Sequence, residues 1–250
     1  MQTRVSEYCA WPVLLEPIFG DKMIVSRKNS VKIKPYERRD FVQIAQIYKE
    51  AFADYPWNEY KKCVCGQNYG RDEIRELSLC KRCGNAPVLS DFWTPENISQ
   101  DIDLALKQRD PILLISSTQG AVAGFIWGYK FPVGKFEFLA DTLGDLSTRN
   151  YLDDIAVGLN MRRRGIGTIL CLEYLNKAAR TGADSVVLRT DERNKTSMAL
   201  FKNRGFNLIY INLDVPSCKD GILRDPEYND RIYMVRQTEL LMATKKIKRE

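Results

Sequence analysis

Residues 151–182, YLDDIAVGLNMRRRGIGTILCLEYLNKAARTG, join three segments in an order that the rest of the chain must fold around. Residues 151–157 have the composition of a short β-strand, residues 158–164 form a polar, basic turn, and residues 165–180 have helical character. At the join stand Arg162, Arg163, Arg164, Gly165 and Gly167, where a new helix has backbone N–H groups without intrahelical partners. Glycine lets a ligand approach the main chain closely. Unpaired donors, the positive end of the helix dipole and guanidinium groups together suit an anion, most naturally phosphate. A solvated turn or a basic patch for nucleic acid uses the same residues. No Gly-Lys-Ser/Thr follows, so the turn is not a P-loop, and it lacks the GxGxxG of a dinucleotide site.

The chain contains no histidine, which removes Ser-His and Cys-His hydrolases, His-ligated metals and His general bases. Its 250 residues, 44% hydrophobic and 28% charged, suit a soluble protein with one substantial core. No run reaches the roughly 18 apolar residues of a membrane span. Glu7, Glu16 and two prolines interrupt the apolar start, so no signal peptide is expected. An odd cysteine count of seven then argues for a reducing, cytoplasmic setting. The net charge of +6 favours an anionic ligand without demanding nucleic acid.

Four of the cysteines cluster. Cys63-Val-Cys65-Gly66 and Cys80-Lys-Arg-Cys83-Gly84 read as two thiolate knuckles, the first one residue shorter than CxxC. Four soft ligands suit a closed, structural zinc site, so residues 61–86 read as a zinc-ribbon insertion.

Around it, residues 31–36 alternate as a strand does, and Phe41 to Phe52 repeat as an amphipathic helix with Asp40 as the expected N-cap. The aromatic and acidic turn that follows, with Tyr55, Trp57 and Glu59, is a candidate for acceptor contacts. Thr94-Pro95-Glu96 opens a second helix, residues 111–117 and 121–130 form a hairpin, and residues 131–150 are a loop. A strand over 185–190, a helix over 194–204 closed by Gly205, and strands at 206–215 and 231–236 complete the chain. The order β-α-α-β-β-β-α-β-α-β-β predicts an α/β domain over 31–237, with a mixed central sheet and helices on both faces. Residues 1–30 form an extension of unclear structure and 238–250 a basic tail.

Two patterns carry a family resemblance. LDDIAV followed by MRRRGIG resembles the strand ending in Ala-Val and the Gln/Arg-x-x-Gly-x-Gly/Ala turn of the GNAT superfamily of acyl-CoA-dependent N-acyltransferases. Asn194-x-x-Ser197-x-x-Leu200-Phe201-x-x-x-Gly205-Phe206 resembles the family's second pattern. The resemblance implies that Arg162, Arg163, Arg164, Gly165, Ile166, Gly167 and Thr168 hold the pyrophosphate of acetyl-CoA or another acyl-CoA. It implies that Ile155, Ala156 and Val157 pair with the pantetheine arm, with Asn194 and Ser197 nearby. The expected reaction is acyl transfer to a primary amine of a small cationic molecule or a protein, with Tyr55, Trp57 and Glu59 toward the acceptor. Asp153 and Asp154 are the base candidates, Asp153 first; strict alternation would put them on opposite faces. The family's usual acid is a tyrosine where this chain has Phe201, which leaves an unassisted thiolate or a donor such as Tyr210 or Tyr233. The alternative function is a protein- or nucleic-acid-binding module worked by the ribbon, with a passive acyl-CoA site. A protein partner for the ribbon and a homodimer both stay open.

Overall fold

The computed structural model describes residues 31–131, 139–209, 218–219, 222–223 and 231–238. Residues 1–30, Tyr210 and the tail from 239 lie outside them. In chain order the elements are β1 (Lys32–Pro35), α1 (Phe41–Phe52), β2 (Lys61–Cys63), β3 (Asn68–Tyr69), α2 (Arg71–Arg75), β4 (Leu89–Asp91), α3 (Pro95–Lys107), β5 (Ile112–Thr118) and β6 (Ala121–Lys130). There follow α4 (Ala140–Leu143), β7 (Arg149–Val157), α5 (Ile166–Arg180), β8 (Ser185–Asp191), α6 (Lys195–Asn203), β9 (Asn207–Ile209), β10 (Cys218–Lys219), β11 (Ile222–Leu223) and β12 (Arg231–Gln237).

The main sheet has seven strands in the order β1-β5-β6-β7-β8-β12-β9. Of its strand pairs only β7 and β8 run parallel, so the sheet is mixed, as expected. One face packs on α5 and α6 through Leu152, Val186 and Leu188 against Leu170, Tyr174 and Phe201. The other face packs on α1 and α3 through Phe125 and Trp127 against Tyr48, Ile98 and Ile102. The rings of Tyr48, Phe125 and Trp127 stack nearly parallel at 4.6–5.8 Å. Each such side chain contributes about 1.5–3 kcal/mol by leaving water.

Helix starts follow local chemistry. Thr94 Oγ1 accepts the Asn97 N–H at 3.2 Å, with Pro95 in the first turn of α3. Asp40 does stand at the N-cap position of α1, but its side chain makes no cap hydrogen bond. A 3-10 turn over Arg38–Asp40 precedes α1, and Asp40 already has helical backbone angles. Its carboxylate instead accepts the Glu37 N–H at 3.0 Å and the Lys34 ammonium at 2.9 Å. The lysine on β1 draws it back across the entry turn.

The decisive irregularity lies in β7. Trp127 faces Asp154 while Gly128 faces Leu152, so Asp153 is an extra residue in a β-bulge. A Cβ on Gly128 would collide with the Tyr174 hydroxyl and the Tyr151 carbonyl, so only glycine lets β6 approach here. The bulge overturns the expectation from alternation. Leu152 and Ile155 turn toward α5, whereas Ala156 turns toward α1. Asp154 bonds Tyr48 of α1, and Asp153 bonds Tyr129 of β6, so both carboxylates serve the α1 side.

A smaller sheet, β3-β2-β4, holds Cys63, and Cys65, Cys80 and Cys83 lie in the turns beside it. It closes with β4, so the folded module reaches beyond the 61–86 stretch.

Candidate active site

The parallel ladder between β7 and β8 runs from Arg149↔Ser185 to Leu152↔Leu188 and stops. Beyond it, β7 keeps its pairing with β6 as far as Val157, while among the described residues its ladder with β8 does not continue. The parting strands open a cleft of about 480 Å³ that takes in the tip of α1, the β7 edge and the start of α5.

At one end is the basic turn. Arg163 has φ +64° and Gly165 φ +77°, left-handed angles that fold successive amides around a concavity. A Cβ on Gly165 would meet nothing within 4 Å, so the space beside it is open. The helical ladder begins with Ile169 N–H on the Gly165 carbonyl at 3.0 Å. The amides of Ile166, Gly167 and Thr168 therefore precede it without intrahelical acceptors. Arg163, Gly165, Ile166, Gly167 and Thr168 line the cleft, as do Ile155, Ala156 and Val157. Arg162 lines it too, but its Nε returns to the Val157 carbonyl at 3.3 Å, and burial lowers its basicity. Arg164 is exposed and stands outside the lining. Asn194 caps α6, its Oδ1 accepting the Ser197 N–H at 3.1 Å, which leaves its NH2 as the donor for a ligand. Both residues line the cleft.

At the other end Asp153 and Asp154 meet Tyr55, Trp57 and Glu59. Tyr55 is exposed at the rim, with the Arg193 guanidinium 5.5 Å from its ring centre. Glu59 is buried and accepts the indole N–H of Trp93 at 2.8 Å. Phe201 is buried, edge-on to Phe206 at 5.6 Å, and offers no proton. Tyr151 is also buried, which pushes its phenol far above its usual range.

Sequence reading missed three contributors. Tyr48 looked like one more apolar position of α1, yet its hydroxyl stands 3.3 Å from Asp154 and 3.3 Å from Asp101. Trp93 follows β4 and reaches the cleft only through the fold of the cysteine module. Arg189 sits in an apolar strand and lines the cleft. Its one sequence signal was a charge inside the run SVVLRT.

The sulfurs of Cys63, Cys65, Cys80 and Cys83 all lie within 4.8 Å of one another. Zinc at about 2.3 Å from each would space them about 3.8 Å apart, so the set fits a tetrahedral ion. The Cys83 backbone N–H and the Tyr69 hydroxyl, the latter at 3.1 Å, hold the Cys80 thiol down to about 5, which suits a metal-bound thiolate. The module grips the cleft wall. Arg71 bonds the Glu50 carbonyl at 2.9 Å and pairs with Asp54 at 3.4 Å, and Asp91 bridges Lys49 and Lys61.

The sequence matches the model of the Acetyltransferase (GNAT) family over residues 76–206, just over half its length. The chain belongs to this family and is a GNAT-type N-acetyltransferase. Among solved structures, a GCN5-related N-acetyltransferase from Kribbella flavida matches with TM-score 0.52 at 18% identity, over 83% of this chain and 97% of its own. The ribosomal-protein-S18-alanine N-acetyltransferase from Escherichia coli matches with TM-score 0.50 at 15% identity, over 84% and 94%. A PaiA N-acetyltransferase from Thermoplasma acidophilum, solved in complex with coenzyme A, matches with TM-score 0.50 at 14% identity, over 83% and 99%. At these identities the likeness is one of fold. No protein of curated function matches the sequence. No helix among the described residues is long and apolar enough to cross a membrane.

Proposed function

We propose that the chain transfers an acetyl group from acetyl-CoA to a primary amine of a small molecule, with the zinc module as part of the acceptor wall. The observation that carries this reading is the unpaired edge of β7, which runs straight into the amides at the start of α5. Arg163 and the amides of Ile166, Gly167 and Thr168 would hold the pyrophosphate. The main chain of Ile155, Ala156 and Val157 would pair with the pantetheine amides, and Asn194 and Ser197 would flank the arm. Acetyl-CoA brings the activated thioester; the remaining work falls to protein groups.

Asp154 is the base in this reading. It stands next to Ile155 and Ala156 on β7, and its Oδ2 is linked through the Tyr48 hydroxyl to Asp101 on α3. A proton taken from the amine by Asp154 passes to the Tyr48 oxygen as the phenol proton moves to Asp101. Asp153, held by the Tyr129 hydroxyl at 3.2 Å, orients the incoming amine. N–H groups of the unpaired β7 edge polarise the carbonyl. Phe201 offers the leaving thiolate no proton, and its modest basicity, near 8.5 for a free thiol, lets water supply one. Tyr210 is the other candidate donor.

Cys63, Cys65, Cys80 and Cys83 would hold a zinc ion that cross-links the module and takes no part in the reaction. The reading of the chain as a binding module with a passive acyl-CoA site is not favoured, since the family match is to acetyltransferases. Incubation with acetyl-CoA and a panel of amines, followed by thiol release, tests the proposal. Amine-dependent release supports it, and no turnover of any amine contradicts it.

A further inference from the structure

We infer that Tyr55 and Arg193 form a strap across the cleft that keeps water from the bound thioester. This rests on the transferase reading above and adds a positioning pair to the same site.

Position comes first. The cleft runs along Tyr151–Val157 of β7, between two walls. Phe52, Tyr55 and Trp57, at and beyond the end of α1, line one wall. Thr190 and Asn194, at the end of β8 and the start of α6, line the other, and Arg193 stands in the turn between them. The Arg193 guanidinium lies 5.5 Å from the centre of the Tyr55 ring, so this contact joins the two walls.

The pair is built unevenly. Arg193 is a fixed post. Its guanidinium is bidentate on Asp191 at 2.9 and 2.7 Å, its own main-chain N–H donates to the same carboxylate at 2.9 Å, and Asp191 is buried. Tyr55 stands on a turn closed by the N–H groups of Trp57 and Asn58 on the Asp54 carbonyl, at 3.0 and 3.1 Å. It is 65% exposed, so its ring can swing without unpacking the core. A cation–π contact at an exposed site shifts an open–closed balance by a factor of about 2–5. That is weak enough to part for acyl-CoA and strong enough to favour closure over it. The proposed chemistry gives the closure a purpose. Asp154 beside the thioester would activate water as it does an amine. In that side reaction the water oxygen bonds to the acetyl carbon, the carbon–sulfur bond breaks, and acetate, a proton and the coenzyme thiol leave. A cleft with a base next to a thioester needs water kept out, and a ring laid between its walls does this.

The test measures thiol release without amine from protein-bound acetyl-CoA, with protein in excess. It uses wild type, Tyr55→Leu, Tyr55→Phe, Arg193→Gln and the double variant Tyr55→Leu/Arg193→Gln, with the bound fraction of each fixed by calorimetry. Release is expected to be about threefold or more faster in each of Tyr55→Leu and Arg193→Gln than in wild type. The double variant should be no faster than the faster single one, since both remove the same contact. Tyr55→Phe, which keeps the ring face, restores slow release. Tyr55 is exposed, so Tyr55→Leu decides the question even if loss of the Arg193 guanidinium disturbs the turn at Asp191. Release at the wild-type rate in Tyr55→Leu would overturn the inference. So would multiplied effects in the double variant, or a Tyr55→Phe protein that leaks as fast as Tyr55→Leu. A wild type that fails to bind acetyl-CoA overturns the transferase reading itself, and this inference with it.

Discussion

Trp93 donates its indole N–H to Glu59 at 2.8 Å, a buried bond that ties the segment leaving the cysteine module to the wall of the cleft. The same ring meets Tyr48 edge-on at 5.0 Å. Loss of the proposed zinc is therefore expected to reach the proposed acceptor end before the acyl-CoA end. Chelation, or Cys80→Ser, should raise the KM for the acceptor about tenfold, as for one lost charged hydrogen bond, and leave acetyl-CoA affinity unchanged. Metal analysis alongside calorimetry and steady-state kinetics checks this. Equal losses at both ends would detach the module from the acceptor wall.

Asp91 fastens the module to α1. Hydrogen bonds from Lys49 and then Lys61 hold its carboxyl below the ordinary 3.8. A carboxyl depressed in the folded state stabilises fully above its unfolded value, and that contribution is lost as pH falls through the lower folded value. Thermal unfolding should show wild type more stable than Asp91→Asn at neutral pH, by under about 1 kcal/mol because the pair is part exposed. The difference should close only below pH 3.8. A gap that widens in acid would have the wrong sign.

Gly128 permits the bulge. Gly128→Ala should destabilise the protein by about 2–3 kcal/mol or displace Tyr174, since the added methyl meets a hydroxyl and a main-chain carbonyl. Denaturant unfolding reads the stability. Neutral behaviour would show that β6 can retreat from β7.

Tyr48 joins Asp154 to Asp101. Tyr48→Phe keeps the stacked ring and removes the relay, so kcat should fall about 10- to 100-fold with acetyl-CoA affinity intact. Single-turnover rates with saturating amine measure it. An unchanged rate assigns the hydroxyl a structural role only.

Local chemistry made much of the fold legible. The strand-turn-helix at β7 and α5, the Thr94 cap and the β5–β6 hairpin each depend on residues close in sequence. The turn that opens α5 could be placed for the same reason, because one continuous segment carries β7, the turn and the helix. The acceptor end could not. The faces of Asp153 and Asp154 depend on Gly128 of a neighbouring strand and on Tyr174 of a distant helix, so strict alternation misplaced them. Arg189 matters because two strands part beside it, which no local pattern announces. Asp40 keeps the cap position but not the cap bond for a similar reason, its carboxylate being held by a lysine on β1.

In the proposed reaction β7 brings a thioester and a base together. Rapid-mixing measurement of amine-dependent thiol release from protein preloaded with acetyl-CoA tests it most directly, in wild type, Asp153→Asn and Asp154→Asn. Release is expected in wild type, with a loss of about 100-fold or more in Asp154→Asn and acetyl-CoA affinity unchanged. A higher acceptor KM is expected as the main defect of Asp153→Asn. An Asp154→Asn protein that binds acetyl-CoA and turns over at the wild-type rate would contradict it.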